Sequence, residues 1–328
     1  MKKLYLFILA FICILTITSC SEDLKTYSKT ISTMNTLITI SFYNDDNAEE
    51  HFTKVKEIFN DVASVTDDFN ACANGNGVYE LNQNRSIEAN DILIDIINNA
   101  VLLMIETYGF YNPFVGRLSH IWKDVIESNS KYLPNASLIQ NEVEIVEGTK
   151  VNIENNVITL VGEGNLDLGG IAKGYATMKA VEYLKENNVK NYLISGSSNI
   201  SLGTKNGKSF KVALEKPYNE NDGYETGTIG TISLQNVDLG ASSAKYQSTY
   251  IDGIKVHHII NPFTGWPETY HDGVFIICDD AMRADVYSTA LYSMDVYAAA
   301  YFVETHGLEA LFYKAESITG KTSKFIGV

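Results

Sequence analysis

The chain has 328 residues, 45% of them hydrophobic and 20% charged, with 23 Gly and 5 Pro. That excludes a disordered, collagen-like or low-complexity protein and suffices for one large domain or two small ones with a sizeable core. Asp and Glu outnumber Lys and Arg by 40 to 25, a formal charge of −15. Such a surface repels phosphate backbones and argues against nucleic-acid binding, so an anionic ligand must be held by a local device: a metal ion, a helix N-terminus or a placed lysine.

The N-terminus carries Lys2 and Lys3, an apolar run from Leu4 to Ile17, and Ile17-Thr18-Ser19-Cys20. Residues 1–19 therefore read as a secretory signal with a lipobox, in which a small Ser19 fits a peptidase and the Cys20 thiol takes up diacylglycerol. A membrane-spanning helix needs about 20 apolar residues, and this run stops short of that. The expectation is a protein tethered to the membrane through lipidated Cys20, on the extracytoplasmic side of a bacterial cell envelope. Cys13 leaves with the signal, and Cys72 and Cys278 are too few and too far apart for a disulfide framework.

Residues 20–30 are polar and read as a short tether, with one catalytic domain from 31 to 328. Leu37 to Tyr43 alternates and is rich in β-branched residues, which predicts a strand. Ala48 to Val62 places Phe52, Val55, Ile58, Phe59 and Val62 on one helical stripe. Phe69 to Gly77 reads as a loop, Asp91 to Thr107 as an apolar helix, and the segment around Asn112-Pro113 as a loop. Asn152 to Val161 predicts a hairpin turning at Glu154-Asn155-Asn156. A helix over Ile171–Asn187 and a strand over Tyr192–Ser195 follow. Short strands run from Ser209 to Ile260, with another over Val274–Cys278. Asp280 to His306 is mostly helical, and Leu308 to Lys314 is a closing strand. Helices and strands do not alternate regularly, so the expected class is α+β.

Four constellations carry chemistry. In Asp167-Leu-Gly-Gly-Ile-Ala-Lys-Gly-Tyr-Ala176 a glycine pair opens a helix with an early lysine. Gly169 and Gly170 allow close backbone approach, and the helix start and Lys173 favour an anion such as a pyrophosphate. A tight turn with a solvated lysine explains the same residues equally well. In Asp285-Val-Tyr-Ser-Thr289, Asp285, Ser288 and Thr289 share a helix face, a hard-oxygen set suited to Mg²⁺; an Asp cap at a helix start is the plainer alternative. In His257-His-Ile-Ile-Asn-Pro-Phe-Thr-Gly265, a histidine can accept a proton at neutral pH. Adjacent histidines on a strand point to opposite faces, so at most one serves a site and zinc is disfavoured. Tyr108-Gly-Phe-Tyr-Asn-Pro-Phe-Val-Gly116 is an aromatic loop that could stack on a planar ring or simply pack into the core.

In this order the segments resemble the ApbE-type FAD:protein FMN transferases. Met34-Asn35-Thr36 is similar to that family's Met-Gly-Thr, Phe110 to Gly116 to its Phe-Asp-Pro-Thr-Val-Gly, and Asp167 to Ala176 to its main motif. Gly196-Ser-Ser-Asn-Ile200 resembles its Gly-Gly-Asn-Ile turn, His257 to Gly265 its His-His-Ile-Asp-Pro-Thr-Gly, and Ala284 to Leu291 its Ala-Asp-Ala-Ser-Thr-Ala-Leu helix. The resemblance runs from about Ser32 to Lys314. It implies a T-fold-like domain of mixed or antiparallel sheet with packed helices. It also implies a reaction in which FAD is split at its pyrophosphate, AMP leaves, and FMN is joined to a Thr hydroxyl of an exported acceptor, a redox-pump subunit or an FMN-binding domain.

By the same resemblance, Mg²⁺ would rest on Asp285, Thr289 and a carbonyl near Gly170, with Ser288 beside it. Met34, Phe69, Phe110, Tyr111, Asn112, Asp167, Lys173 and His258 would contact FAD. His258 would take the acceptor proton, and Asp285 would act through the metal. Asn112 and Asn261 stand where the family usually has Asp, and Ser288 where some members have a second Asp. Two alternatives share the site: a Mg²⁺-dependent FAD pyrophosphatase, and a lipid-anchored flavin-binding module without turnover.

Overall fold

Runs of β-branched and aromatic residues build the centre of the molecule. The computed structural model describes residues 24–128, 130–325 and 328. Eight strands, numbered along the chain, form one antiparallel sheet in the order β1 (Thr26–Thr33), β2 (Thr36–Tyr43), β6 (Tyr192–Ser195), β7 (Asn199–Leu202), β10 (Val237–Ser243), β13 (Gly273–Cys278), β14 (Glu309–Lys314), β15 (Ser317–Lys321). A small sheet holds β3 (Ser86–Glu88), β5 (Val157–Val161) and β4 (Lys150–Glu154) in that order. Two hairpins complete the set, β8 (Phe210–Glu215) with β9 (Thr228–Leu234) and β11 (Ser248–Ile251) with β12 (Ile254–His257). The helices among the described residues are α1 (Ala48–Thr66), α2 (Val78–Asn84), α3 (Asp91–Glu106), α4 (Gly116–Glu127), α5 (Ala136–Gly148), α6 (Ala172–Glu186), α7 (Ala281–Ser293) and α8 (Val296–Thr305). None is long and apolar enough to cross a membrane. The class is α+β, as the irregular order of elements implies.

The large sheet separates two cores. On β13, Val274 and Ile276 join the larger core with residues of α1, α3, α6 and α7. Phe275 and Ile277 point the other way, into a smaller core with the β8–β9 hairpin, Leu311 and Phe325. A central strand covered on both faces has no solvent side, which is why Val274–Ile277 reads as an unbroken apolar run.

Two glycines set the helix depths. A β-carbon on Gly240 of β10 would lie 2.1 Å from the Ala284 carbonyl oxygen, so only glycine lets α7 press onto the sheet. Gly174 does the same between α6 and α7, where a β-carbon would lie 2.6 Å from Asp285 Cβ.

Several expectations need correction. Residues 26–30, read as tether, belong to β1, which pairs with β2 from Thr26↔Tyr43 to Thr33↔Thr36. The residues of the proposed signal and Cys20 lie outside the described residues. Helices α2, α4 and α5 occupy segments that carried no helix assignment. The 280–306 stretch is mostly helical as expected and holds two helices: Asp295 accepts from the N–H groups of Tyr297 and Ala298 and starts α8. The strand at 309–314 does not close the sheet, because β15 pairs beyond it. The 150–161 hairpin turns at Asn155 and Asn156, both left-handed (φ 49° and 63°), as a two-residue turn requires.

Candidate active site

The Asp167–Gly170 turn, the start of α6 and the buried face of α7 meet beside the β6–β7 turn. Local chemistry shapes the turn. Asp167 Oδ1 accepts from the Gly169 N–H at 2.7 Å, and Lys173 Nζ folds back to the Gly169 carbonyl at 3.1 Å. On α7, Asp285 is 3% exposed. Its Oδ2 accepts from the Gly174 N–H at 2.9 Å, and its Oδ1 receives a longer contact, 3.4 Å, from Ser198 Oγ. Burial pushes the Asp285 carboxyl pKa up; Lys173, the Gly174 amide and Ser198 pull against it without cancelling it.

Gly170 and Thr289, 119 positions apart in the chain, are neighbours: a β-carbon on Gly170 would lie 3.9 Å from Thr289 Cγ2 and 3.2 Å from the Tyr111 ring. Thr289 Oγ1 donates to the Asp285 carbonyl at 3.2 Å. Ser288 is fully buried, with Oγ donating to the same carbonyl at 2.9 Å and lying 2.9 Å from Ser242 Oγ. Of the two side chains, Thr289 is the one that reaches the glycine turn, through its methyl, while its hydroxyl also lies 3.4 Å from Ser242 Oγ. The Tyr111 hydroxyl is buried and has no hydrogen-bond partner.

The two histidines part as strand geometry requires. His257 is buried; its Nε2 donates to the Glu268 carbonyl at 2.7 Å and its Nδ1 accepts from the Ile259 N–H at 3.2 Å. Burial lowers its pKa to about 3, with repulsion from His258 adding to the effect. His258 is solvent-accessible yet crowded by protein, and that crowding lowers its pKa to about 4. The imidazole is therefore neutral at pH 7. The charges of Lys173 and Asp167 both act on it. Its Nδ1 makes a long contact, 3.4 Å, to the Gln247 carbonyl, leaving Nε2 as the free acceptor.

The other predicted residues make contacts of their own. Phe69 stacks on His120 with centroids 4.2 Å apart, and Lys123 Nζ lies 3.2 Å from its ring centroid. Phe110 meets Phe263 edge-on at 5.1 Å. Asn112 Oδ1 accepts from the Phe114 N–H at 2.9 Å and so fixes the turn that carries Tyr111. Met34 and Asn35 form the β1–β2 turn (φ 50° and 56°); the register Thr39↔Ser195 puts it at the same end of the sheet as Ser198.

Sequence reasoning missed Ser198, Ser242 and the Asp68–His120 pair. His120 Nε2 lies 2.7 Å from Asp68 Oδ2, and this partner raises the His120 pKa. Burial raises the Asp68 pKa, and Asp167 adds repulsion. Nothing local signals a pair separated by 52 positions.

The donors suit a small hard cation. Asp285, Thr289 and turn carbonyls offer one under-compensated buried carboxylate and neutral oxygens, the set that Mg²⁺ accepts while keeping waters. Among the described residues no three His, Cys, Asp or Glu side chains converge as a metal cage. An ion here would depend on Asp285 and on oxygens brought by the ligand.

A model of the ApbE family matches residues 34–312. The chain belongs to the ApbE family. This ApbE-family chain is 25% identical to the FAD:protein FMN transferase of Haemophilus influenzae over 309 residues, 89% of this chain and 87% of that one. It is 25% identical to the FAD:protein FMN transferase of Treponema pallidum over 307 residues, 88% and 84% of the two chains. In fold it is similar to the ApbE protein of Thermotoga maritima, with a TM-score of 0.78 at 22% identity over 91% of this chain and 96% of that one. The flavin transferase ApbE from Vibrio cholerae gives 0.76 at 19% identity over 92% and 98%.

Within this ApbE-family frame the neutral Asn261 has a physical reason. Its Oδ1 accepts from the Phe263 N–H and its Nδ2 donates to Glu268 Oε2, both at 2.9 Å. An aspartate there would set two carboxylates against each other.

Proposed function

We propose that this protein is an FAD:protein FMN transferase that binds the pyrophosphate of FAD at the Gly169–Gly170 turn and moves FMN to a threonine hydroxyl of an exported acceptor. One observation carries the reading: the glycine turn and the start of α6 lie against Thr289 and Asp285 of α7, with Lys173 folded onto the turn. Support comes from family membership and from relatives named for this activity.

The residues divide the work as follows. The positive end of the α6 dipole and Lys173 attract the phosphates. Asp285, Thr289 and a carbonyl near Gly170, with Ser288 behind them, would hold a Mg²⁺ ion, which when bound would supply charge neutralisation at the phosphoanhydride. His258 Nε2 accepts the proton of the acceptor hydroxyl as its oxygen bonds to the FMN phosphorus; the bond from that phosphorus to the bridging oxygen breaks, and AMP leaves with the electron pair. Met34, Phe69, Phe110 and Asn112 belong to the flavin-contacting set in the same proposal. So does the envelope location through lipidated Cys20, supported by the N-terminal sequence alone.

The test is to incubate the protein with FAD, Mg²⁺ and a candidate acceptor and seek one added FMN on a threonine by mass spectrometry. Equal release of AMP and free FMN, whether or not acceptor is present, marks a pyrophosphatase instead. Binding of FAD without AMP release marks a module without turnover.

A further inference from the structure

Tyr111 is held in place from its own segment. Its N–H reaches Thr107 Oγ1 at 3.3 Å, and the next residue, Asn112, closes the turn onto Phe114. The ring is 4% exposed and packs on Gly170, where a β-carbon would meet Cε2 at 3.2 Å. Its hydroxyl, two bonds beyond that carbon, is therefore at the glycine turn, buried and without a partner. The charges acting on it are those of Asp167 and Asp285. Both are engaged elsewhere, Asp167 with the Gly169 N–H and Asp285 with the Gly174 N–H.

A buried donor left unpaired costs folding free energy. Nothing else in the turn needs that hydroxyl, and a phenylalanine would pack the same ring against Gly170 without the penalty. What the hydroxyl lacks is an acceptor. The glycine turn it packs on leads into the start of α6, and Lys173 folds back onto the same turn, so the local field favours an anionic oxygen as that acceptor.

We propose that the Tyr111 hydroxyl donates its hydrogen bond to a phosphate oxygen of the bound dinucleotide, and so selects phosphorylated ligands while destabilising the empty enzyme. The proposal rests on the transferase reading, because it takes the ligand to be FAD. Tyr111 is a positioning residue: it fixes where the phosphate lies relative to Asp285 and His258.

The experiment compares full-length wild type and Tyr111→Phe in Mg²⁺ buffer. Dissociation constants are measured for FAD, for ADP and for riboflavin, which lacks phosphate, together with the melting temperature of the ligand-free protein. The expected result has three parts. FAD and ADP bind about tenfold more weakly, equivalent to about 1.4 kcal/mol. Riboflavin binding is unchanged. The ligand-free variant melts at the same temperature or higher. Unchanged FAD and ADP affinities overturn the proposal. So does a riboflavin loss as large as that for FAD, which would mean the ring acts only by packing, or a lower melting temperature, which would mean the hydroxyl has an acceptor without ligand. Wild type that binds FAD and transfers FMN alongside an indifferent Tyr111→Phe sinks this inference alone. Wild type that does not bind FAD sinks the transferase reading as well.

Discussion

The N–H of Gly174 on α6 donates to Asp285 Oδ2 on α7 at 2.9 Å, and the two helices cross so closely there that a β-carbon on Gly174 would lie 2.6 Å from Asp285 Cβ. One contact thus fixes both the helix spacing and the orientation of the only carboxylate on the buried α7 face. Within a helix, Gly→Ala is normally favourable by about 0.5–1 kcal/mol. Here the added methyl also meets the Ala281 carbonyl oxygen at 2.7 Å, and that neighbour is backbone and cannot rotate away. Overpacking of this kind costs roughly 1–3 kcal/mol and wins. Gly174→Ala is expected to lower the melting temperature and to reduce FMN transfer at least tenfold, read by calorimetry and by the acceptor assay.

Asp285 separates stability from activity. Burial raises its folded pKa above the unfolded carboxylate value of about 3.9. A raised carboxyl pKa means stability that is fully present below the unfolded value and is lost as pH rises through the folded one. In chelator, Asp285→Asn should therefore melt higher than wild type, with a gap that widens as pH rises from 4 and then levels off. Adding Mg²⁺ should narrow the gap by stabilising wild type only. Transfer by the variant should fall at least a hundredfold. A gap that does not change with pH would contradict the burial argument.

The histidine pair predicts two different defects. His257 has a folded pKa near 3 against about 6.5 unfolded, so the unfolded chain takes up a proton first as pH falls. Stability fully present above pH 6.5 is then lost towards pH 3, on the order of 5 kcal/mol in all. His257→Gln should flatten that acid limb in a melting series from pH 7 to 4, at some cost in stability at neutral pH. His258→Ala should change stability little, because the side chain is exposed, yet slow transfer by about 10²–10⁴-fold. A full transfer rate in His258→Ala would remove it as the base.

Asn261 and Glu268 should behave as a coupled pair. Asn261→Asp keeps the acceptor for Phe263 but turns a 2.9 Å donor contact to Glu268 into repulsion between a buried and a half-buried carboxylate. The expected loss is about 1–3 kcal/mol at pH 7, smaller near pH 4.5. Asn261→Asp with Glu268→Gln should recover most of it, since the new amide can donate back. Chemical denaturation of the four proteins in the cycle measures the coupling.

What the amino-acid order determined by itself is what depends on near neighbours. The stripe of α1, the Asn155-Asn156 turn, the two-sided apolar run of β13 and the glycine pair opening α6 are all short-range patterns, and each stands within a few residues of its predicted place. Short-range reading failed where context outweighs local signal. Thr26–Thr30 is polar enough to pass for a tether, and pairing with β2 makes it part of a strand. The α7–α8 break has neither Gly nor Pro and depends on the Asp295 cap.

Only the tertiary structure decided the site. Tyr111, Gly170, Ser198 and Asp285 belong to four separated segments, and no periodicity links them. They meet because Gly240 lets α7 settle onto the sheet and Gly174 lets α6 settle onto α7. The same packing buries Asp285 with little to offset its charge and leaves the Tyr111 hydroxyl unpaired. Those two unmet demands arise from burial, a property of the folded whole rather than of any stretch of chain.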